Sequence, residues 1–195
     1  MRIVAGRWKG RIIAAPPGEG TRPTSDRVRE ALFSSLAARM GADLGAGPVL
    51  DLFAGSGALA FEALSRGAVR AVLVEKSRAA LRSIADNTAT LGAAEMVSVV
   101  AGDVFGAGLR RVGRLGPFAL LLCDPPYRID PARIAHTVET LAEGGGFLPG
   151  AALVWEHSSA RAVPEPTGFA RERTYRYGDT AVTLMRFYGE GKAAR

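Results

Sequence analysis

With one cysteine and two histidines, the chain has few residues for redox or metal chemistry. Cys123 alone excludes an internal disulfide and fits a reducing cytoplasm. It lies within an apolar run, so its default role is a small buried hydrophobe rather than a nucleophile. Together with His136 and His157 it gives no zinc spacing, and no metal is expected. No apolar run approaches the roughly 20 residues that span a bilayer. The start, Met1-Arg2-Ile3-Val4, lacks an apolar stretch followed by a small-residue cleavage site, so no secretion signal is expected. Internal repeats are absent, and low complexity is confined to the short tail 189–195.

The 195 residues are 48% apolar, ample material for one domain with a sizeable core. The net charge of +6 is unevenly placed. Residues 1–30 hold seven basic groups and three acidic ones, a local net of +4. A basic arm on a nearly balanced body suggests a polyanion partner. Two short strands, Arg2–Gly6 and Arg11–Ala14, read as a hairpin whose tip carries Arg7, Trp8, Lys9 and Arg11. Trp8 suits either an exposed stacking contact or the cap of a small core. A helix follows, capped by Thr24 or Ser25 and running to about Met40. Its expected inner stripe is Val28, Ala31, Leu32, Ser35 and Leu36, with Arg22, Arg27, Arg29 and Arg39 mostly outside.

The most informative stretch is Ala119-Leu120-Leu121-Leu122-Cys123-Asp124-Pro125-Pro126-Tyr127. Its apolar run reads as a strand buried on both faces. Two prolines forbid its continuation, because neither can donate to a ladder. The corner sits at the carboxyl end of a strand, where open α/β sheets put ligands. It presents a carboxylate, the Pro125 carbonyl and an aromatic ring. That set suits a planar amine: two acceptors for its N–H groups and Tyr127 to stack on the base that bears it.

The rest reads as alternating strands and helices. Val49–Phe53 runs into the turn Ala54-Gly55-Ser56-Gly57 and a helix at Ala58–Ser65. Arg70–Glu75 precedes a helix from Ser77 to about Leu91, with Leu81, Ile84 and Ala85 inward. Met96–Ala101 and Pro117–Cys123 are further strands, then a helix at Pro131–Glu143 and a strand at Ala151–Glu156. Arg171–Tyr177 and Thr180–Tyr188 flank Gly178-Asp179 as an antiparallel hairpin at the sheet edge. Gly55, Gly57 and Ala60 also fit a dinucleotide turn, but a pyrophosphate would meet Asp51 as a like charge. Asp51 can instead face an ammonium group. Glu75, 24 residues later, stands where an acid commonly holds ribose hydroxyls. Asp103 with Val104 is placed for an adenine amine and ring. Three strand carboxyl ends thus carry acids, Glu75, Asp103 and Asp124, and Asp51 adds a fourth just before the glycine turn of the first strand.

These motifs resemble the S-adenosylmethionine-dependent methyltransferases of Rossmann-like fold. Asp124-Pro125-Pro126-Tyr127 is similar to the motif of those that methylate exocyclic amines. More specifically, Arg22-Pro23-Thr24-Ser25-Asp26-Arg27-Val28-Arg29-Glu30-Ala31-Leu32-Phe33, Glu62-Ala63-Leu64-Ser65-Arg66-Gly67-Ala68 and Tyr177-Gly178-Asp179-Thr180 resemble the bacterial RsmD family. Ala60 stands where that family usually has glycine. The resemblance implies an α/β fold with a seven-stranded, mostly parallel sheet, an antiparallel C-terminal hairpin and an N-terminal β-hairpin extension. It implies an arm at 1–21, a methyltransferase domain at 22–188 and a flexible tail at 189–195. The implied reaction methylates the N2 amine of a guanine in 16S rRNA (position 966 in the customary RNA numbering), on small ribosomal subunit particles. S-adenosylmethionine is the implied donor, S-adenosylhomocysteine the product, with no metal and no membrane; a cytoplasmic monomer is expected. Catalysis falls to Asp124, Pro125, Pro126 and Tyr127. The donor falls to Asp51, Phe53, Ala54, Gly55, Ser56, Gly57, Glu75, Lys76, Asp103, Val104 and Asp124. RNA falls to Arg7, Trp8, Lys9, Arg11, Arg22, Thr24 and Arg27. Three alternatives stay open: an adenine-N6 amino-methyltransferase, a non-catalytic RNA-binding assembly factor, and a dinucleotide oxidoreductase suggested only by the glycines.

Overall fold

A computed structural model describes residues 1–16, 26–41, 44 and 47–189 of the chain. Seven strands form one sheet: β1 (Pro48–Asp51), β2 (Arg70–Glu75), β3 (Val97–Ala101), β4 (Phe118–Cys123), β5 (Phe147–Ser158), β6 (Phe169–Tyr177) and β7 (Thr180–Phe187). Their order is β3-β2-β1-β4-β5-β7-β6. The first five are parallel, and β7 and β6 close the edge antiparallel. The strand order reverses between β1 and β4, which opens a crevice at their carboxyl ends.

Five helices cover the two faces: α1 (Asp26–Met40), α2 (Ala58–Ser65), α3 (Arg78–Leu91), α4 (Ala107–Gly113) and α5 (Pro131–Glu143). One face packs against α1, α2, α3 and the N-terminal arm through Leu32, Phe33, Leu36, Phe61, Leu64, Ile84, Ile3 and Ile13. The other packs against α4 and α5 through Val112, Ile134, Val138 and Leu141. β4 is buried along its whole length, as a central strand sandwiched by helices must be. Helix starts follow local chemistry. Ser77 accepts from Ala80 N at α3, and Asp130 accepts from Ala132 N at α5, where Pro131 opens the helix.

Several expectations need correction. Helix α4 has no counterpart in the sequence reading, because it is short and bounded by Gly106 and Gly113. β5 begins at Phe147 rather than Ala151. On α3, Ala85 is exposed, and Ser83 and Asn87 are buried instead. On α1, Ala31 is exposed, while Arg29 and Phe33 are buried. The arm accounts for Arg29: it lies over this side of α1, and the guanidinium donates to Arg2 O at 2.7 Å.

The arm itself is a looser hairpin than expected, with one antiparallel bridge, Arg2 to Ile12. It closes through Ile3 N to Arg11 O and Gly10 N to Ile3 O, each at 2.9 Å. It also bonds to α2. Fully buried Glu62 accepts Val4 N at 2.7 Å, Ala5 N at 3.0 Å and Arg66 Nε at 2.7 Å. Ser65 O accepts Arg7 N, and Ser65 Oγ accepts Trp8 N. The approach is close enough that only glycine fits at position 6. Its φ is +81°, and a Cβ there would stand 1.8 Å from Ser65 O. Gly6→Ala is expected to lower stability by about 1–3 kcal/mol and to undock the arm. Urea unfolding combined with limited proteolysis of residues 1–16 measures both, and an unchanged cleavage rate counts against a docked arm.

Candidate active site

β1, β4 and β5 deliver three acids to one crevice. Asp51 ends β1 opposite Leu122, and Cys123 pairs with Trp155, so Asp124 and Glu156 follow as neighbours at the next position. Side chains alternate across a strand. Asp51 therefore shares the face of Val49, Asp124 that of Leu122 and Glu156 that of Val154, all on the side covered by α1 and the arm. Asp51 and Glu156 are buried. Asp124 is half-buried at the mouth.

The electrostatics follow from this placement. Burial pushes Asp51 up to about 7, and the charge of Glu75 adds to that, against backbone N–H bonds from Phe53 and Ala60. Asp51 Oδ1 is buried with no hydrogen-bond partner. Burial also drives Asp124 well above the usual carboxylate range, with Glu156 and then Asp51 adding like charge. Such a cluster favours a ligand that brings positive charge and N–H donors. Burial raises the Cys123 thiol as well, so it is a packed hydrophobe and not a nucleophile.

The corner after β4 keeps its expected shape. Pro126 O accepts Ile129 N at 2.9 Å and closes the next turn. Tyr127 remains 38% exposed. Its hydroxyl pairs with Thr180 Oγ1 at 2.9 Å, and its carbonyl accepts from Arg161 at 3.2 Å. Thr180 begins β7, so the C-terminal hairpin steadies the ring.

The glycine turn lies beside Asp51. Gly57 adopts φ +81°, and a Cβ there would strike Phe61 at 2.6 Å and Leu73 at 2.9 Å. A Cβ at Gly55 would meet nothing within 4 Å, so open space lies over this part of the turn. Glu75 accepts Gly55 N at 2.8 Å, Lys76 N at 2.8 Å and Ser77 N at 2.7 Å. It thus pins the turn to the end of β2, and roughly one of a carboxylate's four acceptor positions remains for a hydroxyl. Asn87 on α3 bridges Ser56 O at 2.9 Å and Ala14 O at 3.0 Å, which ties the arm's base to the turn.

Asp103 accepts Phe105 N at 3.1 Å and pairs with Lys76 at 3.0 Å. The Phe105 N–H first, then Lys76, holds its carboxyl below the usual range. Val104 is buried beneath. Phe53 and Phe105 stand 6.0 Å apart and tilted, and the Arg133 guanidinium covers Phe105 at 4.0 Å. These rings form an apolar wall next to Asp103, suited to a flat heterocycle.

Asp51, Phe53 to Gly57, Glu75, Lys76, Asp103, Val104 and the Asp124 corner therefore meet around one crevice. The arm tip does not. Ser65, where it docks, closes the far end of eight-residue α2, about 12 Å along the helix from the turn. Arg7, Lys9 and Arg11 are exposed there; Arg7 lies over the Trp8 ring, and Arg11 donates to Thr90 O. Trp8 is corrected: it is buried and belongs to the core. Arg22 and Thr24 lie outside the described residues, as does the side chain of Arg27. Sequence reasoning missed Glu156, Phe105, Arg133 and Thr180. Phe105 directly follows Asp103-Val104 and was within reach of that reading. Glu156 needed the strand register.

No helix among the described residues is long and apolar enough to cross a membrane, and none of their His, Cys, Asp and Glu groups is set to hold a metal. Residues 1–186 match the protein family described as Conserved hypothetical protein 95. The chain is 36% identical over 203 residues to ribosomal RNA small subunit methyltransferase D of Escherichia coli strain K12, covering 99% of this chain and 93% of the relative. A hypothetical protein of Thermus thermophilus superposes with a TM-score of 0.77 at 32% identity, over 94% of this chain and 98% of that one. An RNA methyltransferase of Salinibacter ruber, solved with S-adenosyl-L-homocysteine, shares the fold at a TM-score of 0.62 and 18% identity, over 89% and 97%.

Asp51 gives a pH test. Its raised pKa means the folded chain holds the proton more tightly than the unfolded one. That contribution is full below pH 3.8 and is lost as pH rises to about 7. Asp51→Asn carries no such charge, so its stability should fall less across this window. Urea unfolding at several pH values reads the effect; parallel stability curves would refute a buried carboxylate whose pKa is raised by folding.

Proposed function

This chain belongs to the RsmD family, and on that premise we propose that it transfers a methyl group from S-adenosylmethionine to the exocyclic N2 amine of a guanine in 16S rRNA, on small-subunit particles. The observation that carries this reading is the Asp124 corner: a half-buried acid with suppressed acidity, followed by the partly exposed Tyr127 and near the orphaned Asp51 oxygen. When bound, S-adenosylmethionine supplies a methyl group activated by a sulfonium charge. The residues present fit it. Asp51 faces its ammonium end, and the turn Phe53, Ala54, Gly55, Ser56 and Gly57 leaves room over Gly55. Glu75 takes a ribose hydroxyl, while Asp103, Val104 and Lys76 with the Phe53–Phe105 wall receive the adenine.

The protein's part in the reaction is mainly positioning. Tyr127, steadied by Thr180, stacks on the unstacked guanine. Asp124 and the Pro125 carbonyl each accept one N–H of the amine, and Pro126 keeps the corner stiff. Holding the amine in line can lower a barrier by about 7–11 kcal/mol at best. The Asp124 carboxylate stabilises the positive charge that grows on the nitrogen. The surplus proton then passes to Asp124 or to water.

Asp124→Ala is expected to cut turnover by orders of magnitude and leave donor binding within a few-fold. Methyl-transfer assays on small-subunit particles, naked 16S rRNA and DNA, with mass mapping of the product, test substrate and atom together. Methylated adenine, or near-normal turnover of the variant, defeats the proposal.

We also propose that Arg7, Lys9 and Arg11 hold RNA away from the chemistry. Reversing these three charges should weaken particle binding and reduce the salt slope by roughly one for each phosphate no longer neutralised. Turnover at saturation should persist. An unchanged salt slope removes the arm tip from the RNA footprint.

A further inference from the structure

The amine clamp does not itself use one buried acid of the crevice. Glu156 ends the row that starts with Asp51 and Asp124. The parallel pairing of Cys123 with Trp155 fixes it beside Asp124, on the same face, and deeper than Asp124. Its strand is locked on the other side by the antiparallel pairing of Glu156 with Val182. His157, the next residue, is committed to Ser158 O and Thr183 Oγ1 at 2.9 Å each, so it anchors β5 to β7. The acid therefore stands on rigid backbone at a set distance from the amine-binding corner. The orphaned Asp51 oxygen flanks the same crevice and marks it as a place awaiting donors.

Base chemistry says what a second acid here can read. In adenine and cytosine the ring nitrogen next to the exocyclic amine is an acceptor. In guanine the corresponding position, N1, carries a hydrogen beside the N2 amine. Two adjacent carboxylates can thus take two adjacent donors from guanine. Against adenine or cytosine, the second one would face a lone pair and repel it.

We propose that Glu156 accepts the N1–H of the target guanine while Asp124 holds its N2 amine, and that this second acid selects guanine over other amine-bearing bases. The assignment rests on the guanine-N2 reading above and makes Glu156 a specificity residue. It changes no bond. Transfer still converts the primary amine to the methylamine with loss of one proton, and N1 keeps its hydrogen throughout.

The test uses particles reconstituted with 16S rRNA whose mapped target guanine is replaced. 2-Aminopurine keeps the amine and turns N1 into an acceptor. Wild-type enzyme should methylate it on the order of 10- to 100-fold less efficiently than guanine, in kcat/KM. Glu156→Gln can present an amide N–H to that acceptor, so the variant should bring the two substrates within a few-fold of each other. An acid that merely supports the fold would slow both substrates together and leave their ratio unchanged. Inosine at the target keeps N1–H and lacks the amine. Inosine particles should therefore compete for wild-type binding and lose that advantage with Glu156→Gln. Equal use of guanine and 2-aminopurine by the wild type overturns the assignment without any variant. Failure to methylate guanine particles at all is a different result, and strikes the proposed function instead.

Discussion

Like charges at close quarters govern this molecule. The parallel register of β1, β4 and β5 sets Asp51, Asp124 and Glu156 in one row, two of them buried. Burial is the first cause of the raised pKa at both Asp51 and Asp124; Glu75 adds like charge at Asp51, and Glu156 with Asp51 adds it at Asp124. A fold carries such a cost where a ligand relieves it. Under the proposed function, a sulfonium centre, an ammonium group and a nucleobase amine would each bring the charge or the donors that the row lacks.

A second buried acid does the opposite work. Glu62 has no surface exposure and three donors, two from the arm's backbone and one from Arg66. Here burial and full satisfaction go together, so the carboxylate acts as a fastener. The arm it holds covers the sheet face on which the acid row lies. Asn87 and Met1 continue the connection, since Asn87 bonds both Ala14 and Ser56, and Met1 Sδ accepts from Ser56 Oγ. The basic arm is therefore part of the crevice wall at its base. At its tip it is an exposed cationic surface, one helix length away. The contrast between Glu62 and Asp51 shows how the number of donors, and not burial alone, separates a structural carboxylate from one that awaits a ligand.

Glu75 joins both behaviours. Its three backbone bonds fix the glycine turn to β2, and they leave roughly one of its four acceptor positions. The turn is consequently shaped before any ligand arrives, which lowers the ordering cost of binding. Tyr127 is prepared in the same way. The hydroxyl bond to Thr180 restricts the ring, which is 38% exposed. Preorganisation of this kind suits an enzyme whose contribution is geometric.

Much of this was legible from residue order. The apolar run ending in Asp124-Pro125-Pro126 declared a central strand and a stiff stop, because proline cannot donate to a ladder. The glycine turn after Asp51 and the acids at the ends of β2 and β3 followed from the same local rules. Helices α2 and α5 and strand β2 fell where their periodicity and punctuation put them. Tertiary structure decided the rest. Trp8 turned inward and Arg29 became buried because the arm docks on α2, an association between residues some 60 positions apart. Glu156 joined Asp124 because β4 and β5 pair in one register out of several, and register depends on a whole sheet's packing. Local sequence specifies which side chains stand at strand ends; only the folded sheet decides which strand ends become neighbours, because that choice belongs to long-range burial and pairing.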